Sequence, residues 1–110
     1  MEKNGGEIIR ELRLKKGLTI KDVAEKIGVH YVFLSRLERN MEKPAEDTII
    51  KLADLLKYEN DINILIASFG RVPKSIEKII LDDPELINQL PQFYKNVKRR
   101  KNNKWKKIIL

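Results

Sequence analysis

Cysteine is absent from this chain of 110 residues, and histidine occurs once. The first absence excludes disulfides and thiolate metal sites, and the second excludes a histidine-built metal centre. Glycine (5) and proline (4) are few, and no glycine-rich loop of the phosphate-cradling kind is present. Aromatic residues make up 6%, and strand-like alternation of apolar and polar residues is scarce, which leaves little material for a sheet. No run approaches the roughly 18 apolar residues of a membrane span. No small-residue cleavage site follows the first apolar stretch, so no membrane partner and a cytoplasmic location are expected. Acids are scattered at charge-balancing spacings rather than paired around a cleft, so the expectation is a non-enzyme with no catalytic residue, metal or cofactor.

Acidic residues are also missing from one end. Residues 1–94 hold 15 Lys/Arg against 16 Asp/Glu, whereas residues 95–110 hold 8 Lys/Arg and no acid. The net charge of +7 therefore resides in the tail, and the body is nearly neutral. A general argument from basic charge to nucleic acid fails for the body; any such case must come from a motif.

What the chain does have is Leu and Ile at helical spacing, which implies an all-α protein of one domain with a short appendage. Residues 1–6 look like a frayed start. A first helix is expected from near Glu7, with Ile8, Ile9, Leu12 and Leu14 as its stripe and Gly17 as its stop. Thr19 is a natural N-cap for a second helix, with Asp22 three residues on. Val23, Ala24 and Ile27 form the inner face of that helix, and Gly28 ends it. After the turn residue Val29, His30 caps a third helix that buries Leu34 and Leu37. A polar loop, Asn40 to Pro44, leads to a fourth helix over about 45–57, facing inward with Ile49, Leu52, Ala53 and Leu56. Asp61 caps a fifth, 62–69, ended by Gly70. Beyond it, Pro73 opens a sixth helix carrying Ile76, Ile79 and Ile80. Asp83-Pro84 starts a short seventh, 85–90, which Pro91 interrupts before a last helix near Phe93-Tyr94.

The informative stretch is 17–40, two short helices joined by a tight Gly-Val turn. A helix fits the major groove of B-DNA, about 12 Å wide. The first helix of such a pair crosses the backbone and the second presents its N-terminal half to base edges. Gly17-Leu18-Thr19, Val23-Ala24, Ile27-Gly28-Val29, Leu34-Ser35-Arg36-Leu37-Glu38 and Pro44 stand in the register of one pattern. By these residues the stretch resembles the lambda-repressor/Cro-like helix-turn-helix family, over roughly residues 7–66.

The resemblance implies a five-helix DNA-binding domain, here with additional C-terminal helices. It implies base contacts from Tyr31, Val32, Ser35 and Arg36, with Arg36 suited to the O6/N7 pair of a guanine. It implies contacts to the DNA backbone from Thr19, Lys21, His30, Arg39, Asn40 and Lys43. Glu38 is implied to be structural, paired with Arg10 or Arg13. The chain departs from the pattern at Ile20, where Gln is common, at His30, which replaces a hydroxyl cap, and at Asn40, which replaces glycine. Phe33 is bulky for its position and can touch either DNA or the second helix.

The expected organisation is a DNA-binding domain at 1–70, a helical extension at 71–94 acting as a dimerisation element, and a basic tail at 95–110. The tail is open to several readings: an arm on DNA phosphates, an extension of the last helix, a partner-packing segment through Trp105 and Ile108-Ile109-Leu110, or a solvated end. The leading expectation is a homodimeric repressor on a pseudo-palindromic operator in double-stranded DNA. The alternatives are an antitoxin or regulator docking another protein through 71–110, and a restriction-modification controller.

Overall fold

The computed structural model describes the backbone of residues 3–109 and the side chains of residues 3–101. These residues form seven helices and no strand. They run α1 Gly5–Lys15, α2 Ile20–Ile27, α3 Tyr31–Glu38, α4 Glu46–Leu56, α5 Ile62–Ser68, α6 Lys74–Asp82 and α7 Glu85–Ile109. The chain divides into two units, residues 1–74 and 75–110.

The first unit holds the core. Ile9 of α1, Val23 and Ala24 of α2, Leu34 and Leu37 of α3, Ile49, Leu52, Ala53 and Leu56 of α4, and Leu65, Ile66 and Phe69 at α5 form one buried cluster. Each large aliphatic side chain so buried contributes about 1.5–3 kcal/mol, which is what fixes the angles between such short helices. Ala24 lets α2 and α3 cross closely. Ile8, Leu12, Ile20 and Phe33 lie half-buried against the cluster, so Phe33 is a packing residue. Leu14, expected in the stripe of α1, is exposed.

Local signals place the helix ends. Thr19 and Asp22 form a reciprocal capping box at α2: the Thr19 hydroxyl accepts from Asp22 N–H, and the Asp22 carboxylate accepts from Thr19 N–H, both at 3.0 Å. The Thr19 backbone N–H first, and then the Thr19 hydroxyl, hold the Asp22 carboxyl below its ordinary range. Gly28 takes φ 77°, the left-handed conformation that a glycine adopts without strain, and turns the chain from α2 into α3. Asp61 caps α5 by accepting from Asn63 N–H at 2.8 Å.

Two expectations are corrected. The first helix starts at Gly5 rather than near Glu7, because Asn4 caps it and accepts from Glu7 N–H at 3.0 Å. Gly5 and Gly6 are buried there. A Cβ on Gly5 would meet the Phe69 ring at 2.6 Å, and one on Gly6 would meet the carbonyls of Leu37 and Glu38 at 2.6 Å. The pair is thus a close-packing device and not a frayed start. At the other end, the expected break at Pro91 does not occur, and a single α7 runs through it. Proline removes one hydrogen bond and crowds the preceding turn. The apolar positions Leu86, Ile87, Leu90, Phe93, Tyr94 and Val97 nevertheless keep helical spacing across it. One continuous helix therefore holds them in a single stripe.

The first unit continues past Gly70 because Arg71 and Lys74 are tied back to the loop before α4. The Arg71 guanidinium donates to the carbonyls of Pro44 and Lys43, and Lys74 N–H donates to Glu46 at 2.8 Å. In the second unit no described residue is buried. Ile76, Ile79, Ile87, Leu90, Phe93 and Tyr94 are all exposed. The basic segment from Lys95 continues as helix within α7, which is the extended-helix reading of the tail. The side chains of Trp105 and Ile108 to Leu110 lie outside the described residues.

Candidate nucleic-acid interface

With about 100° between successive residues of a helix, Tyr31, Val32, Ser35, Arg36 and Arg39 fall within about 140° of arc on α3 and its C-cap. Leu34 and Leu37 occupy the opposite side, Glu38 flanks the arc next to Tyr31, and all three are buried. The five named residues therefore share the face turned away from the core. Tyr31 and Val32 are 45% and 46% exposed, high values for large apolar side chains on a helix so short. With Leu14, Leu18 and Ile20 they line a shallow hollow.

His30 caps α3 through its ring: Nδ1 accepts from Val32 N–H at 3.2 Å. This bond requires Nδ1 unprotonated, which leaves Nε2 as the donor pointing outward. The Tyr31 ring stacks on His30 with centroids 4.7 Å apart, and Lys21 Nζ lies 5.1 Å from the Tyr31 ring centre. Lys21 of α2 and Tyr31 of α3 are thereby brought to one place, although ten residues separate them. The stacking and the cation–π contact restrict both side chains.

The Arg36 guanidinium donates from Nε to Glu42 Oε1 at 2.8 Å. Arg39 turns its Nε toward the Ser35 carbonyl at 3.3 Å. Lys43 is exposed, with its stem over Gly70. Thr19 stands at the start of α2, its hydroxyl oxygen engaged in the capping box. Of the ten expected contact residues, Tyr31, Val32, Ser35, Arg36 and Arg39 share this face, Lys21 and His30 lie beside Tyr31, and Thr19, Asn40 and Lys43 stand at the flanking turns and loop.

Asn40 is different. At φ 59° it takes the left-handed turn that glycine takes in the family pattern. Its Oδ1 accepts from Gly6 N–H at 3.0 Å, its Nδ2 donates to Asn4 Oδ1 at 2.5 Å, and its own N–H goes to the Leu37 carbonyl. The residue latches the start of α1 to the end of α3, and its Nδ2 keeps a second N–H. Sequence reasoning had no signal for this role, because the partner lies 34 positions away.

Behind the surface is a buried ion pair. Glu38 accepts from Arg13 Nε at 2.6 Å and from Nη2 at 2.9 Å, and Arg13 Nη1 donates to the Leu18 carbonyl at 3.0 Å. Arg13 rather than Arg10 is the partner, and both residues are 7% exposed. The hydrogen bonds to Glu38 raise the Arg13 pKa further above its ordinary value, against the opposing effect of burial. The pair joins α1, the α1–α2 turn and α3, and so sets where α3 stands.

The site is an exposed helix face of mixed polar and apolar side chains with cations beside it. It can recognise a surface. Among the described residues no group of three or more His, Cys, Asp or Glu is placed to hold a metal. No described helix is long and apolar enough to cross a membrane.

Comparison with known proteins bears on the same segment. A family model described as helix-turn-helix matches residues 9–61. The HTH-type transcriptional regulator ImmR of Bacillus subtilis (strain 168) is 38% identical over 56 residues, which cover 51% of this chain and 44% of that protein. The chain thus spans less than half the length of that curated relative. A solved chain of the SinR protein/SinI protein complex superposes with a TM-score of 0.49 at 26% identity, over 88% of this chain and 97% of that one.

Proposed function

With residues 9–61 identified as a helix-turn-helix domain of the lambda-repressor/Cro-like family, we propose that the protein is a DNA-binding transcriptional regulator. It acts by occupying an operator and performs no reaction. The observation that carries this reading is the single outward face of α3. On it Tyr31, Val32, Ser35 and Arg36 stand together while every large aliphatic residue of the helix except Val32 faces the core.

In this reading α3 enters the major groove. Arg36 reads a guanine, Val32 meets a thymine methyl, and Tyr31 and Ser35 supply hydrogen bonds. Lys21, His30 through Nε2, Arg39 and Lys43 hold phosphates, whereas the Thr19 hydroxyl is engaged with Asp22. Asn40, exposed and with one Nδ2 N–H beyond its bond to Asn4, adds a further phosphate contact. The work of α7 from Lys95 onward is to track phosphates with its exposed Lys95, Lys98, Arg99, Arg100 and Lys101.

The protein is a homodimer in this reading, joined through the apolar residues of α6 and α7. Among the described residues these two helices bury none of their apolar side chains, and helices are marginal in water without packing. A two-fold dimer suits a pseudo-palindromic operator with half-sites about one helical turn apart. Repression follows from occupancy of such a site. The second reading, docking of a different protein on the same residues, is favoured by the same exposed face and is separated from the first by what co-purifies.

The test is selection of sites from a pool of random duplexes by the full chain, followed by binding measurements on the enriched motif. Wild type is expected to enrich a two-fold motif, and Arg36→Ala to relax one position of each half-site by about 1–3 kcal/mol of discrimination. If neither Arg36→Ala nor removal of residues 95–110 changes binding, the site is misassigned.

A further inference from the structure

An acid stands where the proposed DNA surface would be better without one. Glu42 lies in the loop between α3 and α4, and its Oε1 accepts from Arg36 Nε at 2.8 Å. The loop delivers it there by fixed contacts. Asn40 reverses the chain at positive φ, and Met41 N–H bonds back to the Arg36 carbonyl at 2.9 Å. On the far side Arg71 holds the carbonyls of Lys43 and Pro44, and Pro44 is fully buried. Glu42 is thus anchored on both flanks beside the one arginine on the exposed arc of α3 itself.

The chemistry of this contact is selective. Nε is the only guanidinium nitrogen of Arg36 with a hydrogen-bond partner among the described residues. Nη1 and Nη2 keep their N–H groups, and these two nitrogens present the end-on fork that matches O6 and N7 of guanine. A carboxylate so close to DNA repels phosphates and lowers general affinity. Its gain is that a long side chain with many rotamers is held in one orientation before binding, so less freedom is lost when the guanine is met.

We infer that Glu42 is a specificity-determining positioning residue: it grips Arg36 by Nε so that the terminal nitrogens read guanine, and its charge keeps the guanidinium from settling on a phosphate. This rests on the DNA-binding reading of α3. Glu42 lowers affinity for all DNA and raises the ratio between the right site and any other, which is the quantity that matters among many competing sites.

The experiment uses the full chain and a pool of duplexes with a random core of about two helical turns, with wild type, Arg36→Ala, Glu42→Ala and Glu42→Gln compared. Wild type is expected to enrich a motif with a guanine whose preference Arg36→Ala abolishes. Glu42→Ala is expected to reduce that preference about 5- to 10-fold, within the range of one bidentate contact. It is also expected to raise affinity for unselected random duplex about 2- to 5-fold, with a log–log salt slope steeper by about 1. Glu42→Gln, which keeps an acceptor for Nε–H, recovers part of the guanine preference but not the repulsion. A role in folding alone would lower specific and random binding together. Undiminished guanine preference in Glu42→Ala, or equal loss on both kinds of DNA, overturns the inference and leaves the DNA reading standing. A motif unaffected by Arg36→Ala overturns it as well. If wild type enriches no motif, the DNA reading falls and takes the inference with it.

Discussion

At the scale of single residues, the most consequential contact is not on the proposed DNA surface. Arg13 donates two hydrogen bonds to Glu38 where both are nearly excluded from water. Two charges so placed add little net stability as a pair, because removing them from water offsets their attraction. Removing one partner is another matter, since the other is left buried and uncompensated. Glu38→Ala is therefore expected to destabilise the fold by about 3 kcal/mol, read as a lower urea midpoint with an unchanged slope. A loss below about 1 kcal/mol, the size typical of an exposed pair, would show that the pair does not hold α3 in place.

At the scale of elements, α2 depends on its capping box. The Asp22 carboxyl is held below its usual 3.8 by the Thr19 backbone and hydroxyl. A group whose folded pKa is lowered contributes stability above its unfolded value, and that contribution disappears as pH falls through the folded value. Asp22→Asn is thus expected to melt below wild type at neutral pH, with the gap closing as the pH falls through about 4 and beneath. Thermal melts across pH 2.5 to 7, values spanning about 1.5 units below and 3 above the ordinary carboxyl pKa, give the comparison. A gap that stays constant over this range would mean that the carboxylate charge has no part in the cap. The helix α3 is capped by an imidazole nitrogen instead, and α7 carries a proline in its interior.

For the whole molecule, the two units divide the labour. All buried hydrophobic residues among those described lie in residues 1–74, and the exposed apolar stripe of α6 and α7 lies beyond. Full-length protein is expected to be a dimer in light scattering and a 1–74 truncation to be a folded monomer. The truncation should then bind a single half-site weakly, having lost both the second reading head and the basic segment. A dimeric 1–74 would place the interface within the helix-turn-helix unit and refute the role proposed for α6 and α7.

Much of this molecule was determined by the sequence alone. Caps at Thr19, His30 and Asp61, the stop at Gly28 and the period of Leu and Ile depend on neighbours within a few positions, and local signals of that kind can be read in a string of residues. So could the outward arc of Tyr31, Val32, Ser35 and Arg36, because helical spacing fixes which residues share a face. Tertiary structure decided what depends on distant partners. It chose Arg13 over Arg10 for Glu38, bonded Asn40 to Gly6 and Asn4, made Gly5 and Gly6 a contact surface for Phe69 and the end of α3, and set Glu42 against Arg36. The physical reason is the same in each case. Hydrogen bonds, ion pairs and close contacts are decided by geometry over a few ångströms, and only the folded chain brings residues 25 or 34 positions apart to that distance.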